Sequence, residues 1–157
     1  MTLPHQRPDG TVHMVDVTAK TPTRREATAV GAVTCAPATM AALSQGRVPK
    51  GDVLALARIA GIQAAKRTPD LLPLAHVIGV HGCDVEVTLA EDRVLLRATV
   101  RTADRTGVEM EALTAVTVAA LNVVDMLKGI DRTVAIRDCM IVAKSGGRSG
   151  DWTRPGT

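Results

Sequence analysis

This chain of 157 residues contains no Phe and no Tyr, and its single Trp, Trp152, lies close to the C-terminus. Aromatic side chains normally supply the largest pieces of a core, roughly 150–250 Å² of buried surface each. Here the core must be assembled from Val, Leu, Ile, Met and Ala, so its helices are thin and must pack close to whatever they cover. Hydrophobic residues still make up 46% of the chain and charged residues 22%. That composition folds, and the length suits one ordinary domain. The missing aromatics also exclude recognition of nucleic acid by base stacking. The 19 basic and 16 acidic residues leave a net charge of +3, which suits a small anionic ligand better than a long polyanion.

Cys35, Cys83 and Cys139 are far apart and form no CxxC pair, which argues against disulfides and zinc fingers and for a reducing compartment. No apolar run approaches the ~20 residues of a membrane span. Met1–Asp9 is polar and carries no apolar signal core. The expected location is therefore the cytoplasm, with no membrane partner. Residues 1–13 read as a flexible lead-in, 14–152 as one domain and 153–157 as a tail.

Ala27–Cys35 reads as a strand, followed by a short helix from Pro37 to about Gly46. Asp52–Thr68 is predicted as a long helix, with Asp52 at its start, Lys66 and Arg67 at its end and Pro69 stopping it. Asp84–Leu89 and Arg93–Arg101 alternate apolar and polar residues on either side of Ala90-Glu91-Asp92, the pattern of a hairpin with one buried face. Glu109–Lys128 is a second long helix, with Met110, Leu113, Thr117, Leu121 and Val124 as its expected apolar stripe and Gly129 as its stop. Val134–Ala143 is a final strand, and Lys144–Gly150 a basic Ser/Gly segment. The order implies an α+β fold: a ferredoxin-like, split βαβ antiparallel sheet with two long helices on one face.

Several residues could carry chemistry. Glu109, Met110 and Glu111 open the second helix, where glutamates also merely complement the helix dipole. Glu109 is expected to point away from Glu111. Asp125 is harder to dismiss, because a carboxylate near a helix C-terminus opposes the dipole; Lys128, three residues on, is a natural ion-pair partner. Glu111 and Asp125 are 14 positions apart, roughly 21 Å on a helix. One small substrate could touch both only if two chains share a pocket. His76 lies in the Pro-bearing connection Leu71–Val77, where a structural role competes with a catalytic one. His76, His81 and Cys83 have a poor metal spacing, and no metal site is expected. Lys50 precedes the first long helix and Lys144 opens the glycine-rich segment, either of which suits an anion. On these grounds an acid–base enzyme acting on a small phosphorylated metabolite competes with a ferredoxin-like regulatory or binding module.

Six segments carry a resemblance: Met14-Val15-Asp16-Val17, Lys50-Gly51-Asp52-Val53, residues 57–68, Thr106–Ala115, Asp125-Met126-Leu127-Lys128 and Lys144–Gly150. Together they resemble the cyclic pyranopterin monophosphate synthase family (molybdenum cofactor biosynthesis protein C) over nearly the whole chain. The resemblance implies a lyase that converts (8S)-3',8-cyclo-7,8-dihydroguanosine 5'-triphosphate to cyclic pyranopterin monophosphate and diphosphate. It implies a homohexamer, a trimer of dimers, with pockets at a dimer interface. It places catalytic roles on Asp125, Lys128, Lys50 and His76, and substrate contacts on Leu74, Ala75, His76, Glu109, Met110, Glu111 and Lys144. No cofactor is implied, with Mg²⁺ on the substrate phosphates left open. The loop departs from the family pattern: Leu74-Ala75-His76-Val77 stands where Leu-Cys-His-Pro is usual, and Val124 where Tyr often precedes the aspartate. A catalytically weakened paralogue is the alternative that these departures raise.

Overall fold

The computed structural model describes residues 5–156. Residues 1–4 of the expected lead-in, and Thr157 of the tail, lie outside the described residues. The elements are β1 (Thr23–Thr34), α1 (Pro37–Ser44), α2 (Val53–Ala65), α3 (Thr68–Leu71), β2 (Gly82–Leu89), β3 (Arg93–Asp104), α4 (Glu109–Leu127), β4 (Ala135–Ser145) and β5 (Trp152–Thr153). They build one antiparallel sheet in the order β2-β3-β1-β4-β5. Helices α2 and α4 pack on each other and together cover one face of it. With α2 crossing from β1 to β2 and α4 from β3 to β4, this is the expected split βαβ arrangement.

The core lies between sheet and helices. Ala29 and Val33 of β1, Val85 and Val87 of β2, and Leu96 and Val100 of β3 face Ala57 of α2 and Ala112, Val116 and Val123 of α4, all of them buried. None of its fully buried side chains is bulkier than Leu127. Small side chains bring backbones close. A Cβ on Gly61 of α2 would lie 2.9 Å from the Ala115 carbonyl oxygen of α4. One on Gly31 of β1 would lie 2.7 Å from Val116 Cγ1.

The apolar face of α4 differs from expectation. Its buried side is Glu111, Ala112, Ala115, Val116, Ala119, Ala120, Val123, Met126 and Leu127. Met110 and Leu121 of the expected stripe are exposed, at 42% and 57%. The reason is the close approach to α2 and the sheet, which admits Ala and Val but not a row of longer side chains. The helix therefore has two apolar faces, one of them open. By length and composition α4 could cross a membrane, but half of its apolar window is buried inside the domain.

Other boundaries moved for local reasons. β1 starts at Thr23 rather than Ala27, because β3 continues to Asp104 and the two residues pair. α2 ends at Ala65, and Pro69 belongs to the separate turn α3 near its start, where a missing N–H costs nothing. Gly129 does not take the left-handed conformation expected of a helix stop. Leu127 O instead accepts from Ile130 N at 2.9 Å and Asp131 N at 3.0 Å. Asp131 then fastens this turn to the start of α1: its carboxylate accepts from Ala36 N at 2.7 Å, Thr39 Oγ1 at 3.0 Å, Thr133 Oγ1 at 2.6 Å and Thr133 N at 2.7 Å. Those hydrogen bonds, led by Thr133, hold its pKa down to about 2. Trp152, the last residue of the expected domain, and Thr153, the first of the expected tail, pair with Lys144 and Ala143 of β4.

Gly61→Ala should gain about 1 kcal/mol in helix propensity. Because its methyl meets backbone, it should instead lower stability by about 1–3 kcal/mol, read from the denaturant midpoint. An unchanged or raised midpoint would contradict the packing described.

Candidate active site

The first turn of α4 floors a cavity of about 450 Å³, walled by the loop residues Leu74, Ala75 and His76 and by Val15 and Val17 of the N-terminal segment. Glu109, Met110 and Glu111 all line it. Glu109 was expected to point elsewhere, but at the helix start its carboxylate folds back over Gly107, where no Cβ obstructs it. Glu111 is 3% exposed. Burial pushes its pKa up to about 7; neighbouring Glu109 adds a smaller upward push and its own backbone N–H opposes both. His76 is half-buried, and its Nε2 donates to Val15 O at 2.7 Å.

Beside this cavity, and sharing Thr106, Gly107 and Glu109 with it, is a polar recess of about 210 Å³ lined by Arg25, Lys144, Gly146 and Ser149. Pairing of β1 with β4 aligns Ala27 with Lys144 and Glu26 with Ser145, which brings Arg25 and Lys144 to one end of the sheet. The chain then turns through Gly146 and Gly147 at φ +84° and +75°. A Cβ on Gly147 would collide with the Arg25 guanidinium. Lys144 Nζ reaches Ser149 Oγ at 2.6 Å and Glu109 Oε1 at 3.5 Å. The Arg25 and Lys144 cations and the Thr106 and Ser149 hydroxyls around a small recess are a setting for phosphate oxygens, with Glu26 and Glu109 also in its wall and Gly146 N donating to Asp151 Oδ1 at 3.1 Å.

The other end of α4 carries a second cluster. Asp52 caps α2 by accepting from Ala55 N at 2.9 Å. Gly51, at φ +100°, turns the preceding Lys50 toward α4. Lys50 Nζ donates to Asp125 Oδ2 at 3.0 Å and to Asp125 O at 2.7 Å. Lys128 Nζ lies 2.6 Å from Asp125 Oδ1. These hydrogen bonds, from Lys128 first and Lys50 second, hold the Asp125 pKa below the usual carboxylate range. The cluster borders a groove of about 540 Å³ formed by Ala60, Val118, Leu121 and Asn122.

The expected site residues thus fall into two groups. Leu74, Ala75, His76, Glu109, Met110 and Glu111 share one cavity, with Lys144 beside them; Lys50, Asp125 and Lys128 form the other. Within one chain the helix keeps the groups apart, since Glu111 and Asp125 are separated by roughly 21 Å of α4. A further hollow of about 400 Å³ on the uncovered face of the sheet, between Val30, Glu86, Arg97 and Met140, collects none of them. Sequence reasoning missed Arg25, Lys20, Thr106 and Asn122 as lining residues. Arg25 had no local signal, because its place depends on β1 pairing with β4. Lys20 follows the Met14–Val17 motif closely and could have been found with it. Among the described residues, no group of three His, Cys, Asp or Glu side chains could hold a metal ion.

Acid, base and cation groups gathered at both ends of one helix in a split βαβ domain define a protein equipped to bind a small polar molecule and move its protons. The chain belongs to the MoaC family, whose model matches residues 14–147. It is 55% identical over 152 residues to a Streptomyces coelicolor protein named cyclic pyranopterin monophosphate synthase, covering 97% of this chain and 89% of that one. It is 51% identical to the Mycobacterium bovis cyclic pyranopterin monophosphate synthase 2, covering 97% and 91%. A Chloroflexus aurantiacus protein of the first name is 50% identical over 155 residues, covering 98% and 95%.

The raised pKa of Glu111 has a signed consequence. Between pH 4.5 and about 7 the folded chain holds a proton that the unfolded chain has released. Stability contributed by this group is therefore lost as pH rises through that window. Denaturation midpoints of the native protein should fall relative to Glu111→Gln across it and run parallel above it. Parallel profiles throughout would contradict the buried carboxyl.

Proposed function

We propose that this chain is a cyclic pyranopterin monophosphate synthase, a lyase of molybdenum cofactor biosynthesis that converts the cyclic dihydro-GTP derivative to cyclic pyranopterin monophosphate and diphosphate. The observation that supports this reading is the sorting of the ionisable groups that the resemblance assigns to the site into two clusters joined by the open apolar face of α4. Val118, Leu121 and Val124 lie along that face beside Asp125. A second copy laid antiparallel on it would bring its own Glu111 end to this Asp125 end. Each complete pocket then draws one cluster from each chain, in a homohexamer built as a trimer of dimers and working in the cytoplasm.

In this reading the recess of Arg25, Lys144 and Ser149 takes the triphosphate. Its cations stabilise the charge that accumulates as a substrate hydroxyl attacks the α-phosphorus and diphosphate departs. Glu111, Met110 and the Leu74–His76 loop hold the heterocycle. Asp125 holds the Lys50 and Lys128 amines in place, and a lysine that has given its proton to the substrate takes one back in a later step. No resident cofactor takes part, and Mg²⁺ enters only with the phosphates. The departures at Ala75 and Val77 leave His76 in the cavity wall; Ala75 lines this cavity too, while Val77 is 89% exposed in the single chain and does not line it.

Purified protein given the cyclic dihydro-GTP derivative should release cyclic pyranopterin monophosphate and diphosphate, identified by mass spectrometry. Lys50→Ala and Lys128→Ala should each lower kcat by at least ~10²-fold, the scale of a lost acid–base group, with folding intact. No product from the native protein, beside an active relative, would leave the weakened paralogue standing. A near-normal rate in either variant would remove that lysine from the mechanism.

A further inference from the structure

We propose that the N-terminal segment 14–20 is a strap that fixes the His76 imidazole with its proton on Nε2, presenting the Nδ1 lone pair to the cavity as a proton acceptor. The inference rests on the proposed function for what the cavity holds, but its structural half stands alone. The partner of Nε2 is the Val15 carbonyl, at 2.7 Å. A carbonyl only accepts, so Nε2 must donate, and whenever the ring is neutral the proton cannot also be on Nδ1. Nδ1 makes no hydrogen bond with any described residue.

The strap is built for such a role. His13, Val15 and Val17 are half-buried while Met14, Asp16 and Thr18 are exposed, the alternation of an extended segment laid on a surface. Asp16 Oδ1 accepts from Thr18 N at 2.8 Å and closes a turn, which Lys20 N extends by donating to Val17 O at 3.0 Å. Among the described residues, two hydrogen bonds tie 14–20 to the rest of the domain: His76 to Val15 O, and Arg105 Nε to Lys20 O at 3.0 Å. Val15 and His76 both line the cavity, together with the titratable groups His5, Lys20, Glu109 and Glu111.

The chemistry follows from the fixed tautomer. Nδ1 takes the proton of a substrate N–H or O–H, leaving the electron pair on the substrate atom and forming an imidazolium. The charged ring donates more strongly to Val15 O, so proton uptake tightens the strap over the substrate. Returning the proton to a substrate nitrogen restores the neutral ring and loosens it. Val15 is thus a positioning residue acting through its backbone, and His76 the group that meets substrate.

Two measurements on the full chain test this. Long-range ¹⁵N–¹H spectra of the labelled protein, with the His76 ring identified by its loss in His76→Gln, should show the neutral ring protonated at Nε2 and bare at Nδ1. Protonation at Nδ1 would overturn the proposal. His76→Gln keeps a donor at the reach of Nε2 but has no Nδ1. It should keep the exchange protection of residues 14–20 and lose about 10²-fold in kcat with little change in KM. His76→Asn is too short to reach Val15 and should lose that protection and raise KM as well. Equal protection in the two variants, or normal turnover in His76→Gln, would equally overturn it. A native protein without synthase activity, but with the Nε2–H ring and a held strap, would defeat the proposed function and not the strap.

Discussion

A straight helix cannot bring its own two ends into one cavity, and the stiffness of α4 sets the terms for the rest of this molecule. Over its 19 residues α4 carries Glu109 and Glu111 at one end and Asp125 at the other. It can be held rigidly because it is gripped closely. With no aromatic side chain in the core, Gly61 and the alanines of α2 let its backbone approach α4 to within contact of the Ala115 carbonyl. The same scarcity of large side chains inside leaves Met110 and Leu121 outside, on the face that another copy would cover.

The two ends of α4 differ in their electrostatics as well as their position. At the N-terminal end a carboxyl is buried with little to neutralise it, and Glu111 holds its proton to about pH 7. At the C-terminal end Asp125 is exposed between two ammonium groups and stays ionised far below that. One end therefore offers a carboxylic acid able to donate or accept near neutral pH, and the other a fixed anion that orders two lysines. Bringing such opposed environments against one substrate is what multi-step proton transfer requires.

Much of this was legible in the sequence, and the failures have causes. The hairpin of β2 and β3 was readable because Val85, Val87, Leu96, Ala98 and Val100 alternate on a sheet with one covered face. The long helices were readable from their period and charged ends. The buried face of α4 is not legible from side-chain size, because a close-packed interface selects Ala and Val over the larger apolar residues. The first residues of β1 are not legible locally, because Thr23–Glu26 are polar and gain their strand partners only from β3 and β4. Lys50, His76, Glu109, Glu111, Asp125, Lys128 and Lys144 were all singled out. Helix length separates Glu111 from Asp125, but the gathering of the others into two clusters, like the places of Arg25 and the Val15 carbonyl, depends on tertiary pairing that no local pattern records.

Whether a working pocket takes Glu111 from one chain and Asp125 from another is decided by complementation. Glu111→Ala and Asp125→Ala proteins, each inactive alone, are denatured together, refolded, and shown to form mixed oligomers. In a mixed dimer one pocket collects both lesions and the other neither, so activity should return, up to half that of a native dimer. Mixed oligomers that regain nothing would mean that each chain supplies both carboxylates to its own pocket, which the length of α4 forbids in the structure described.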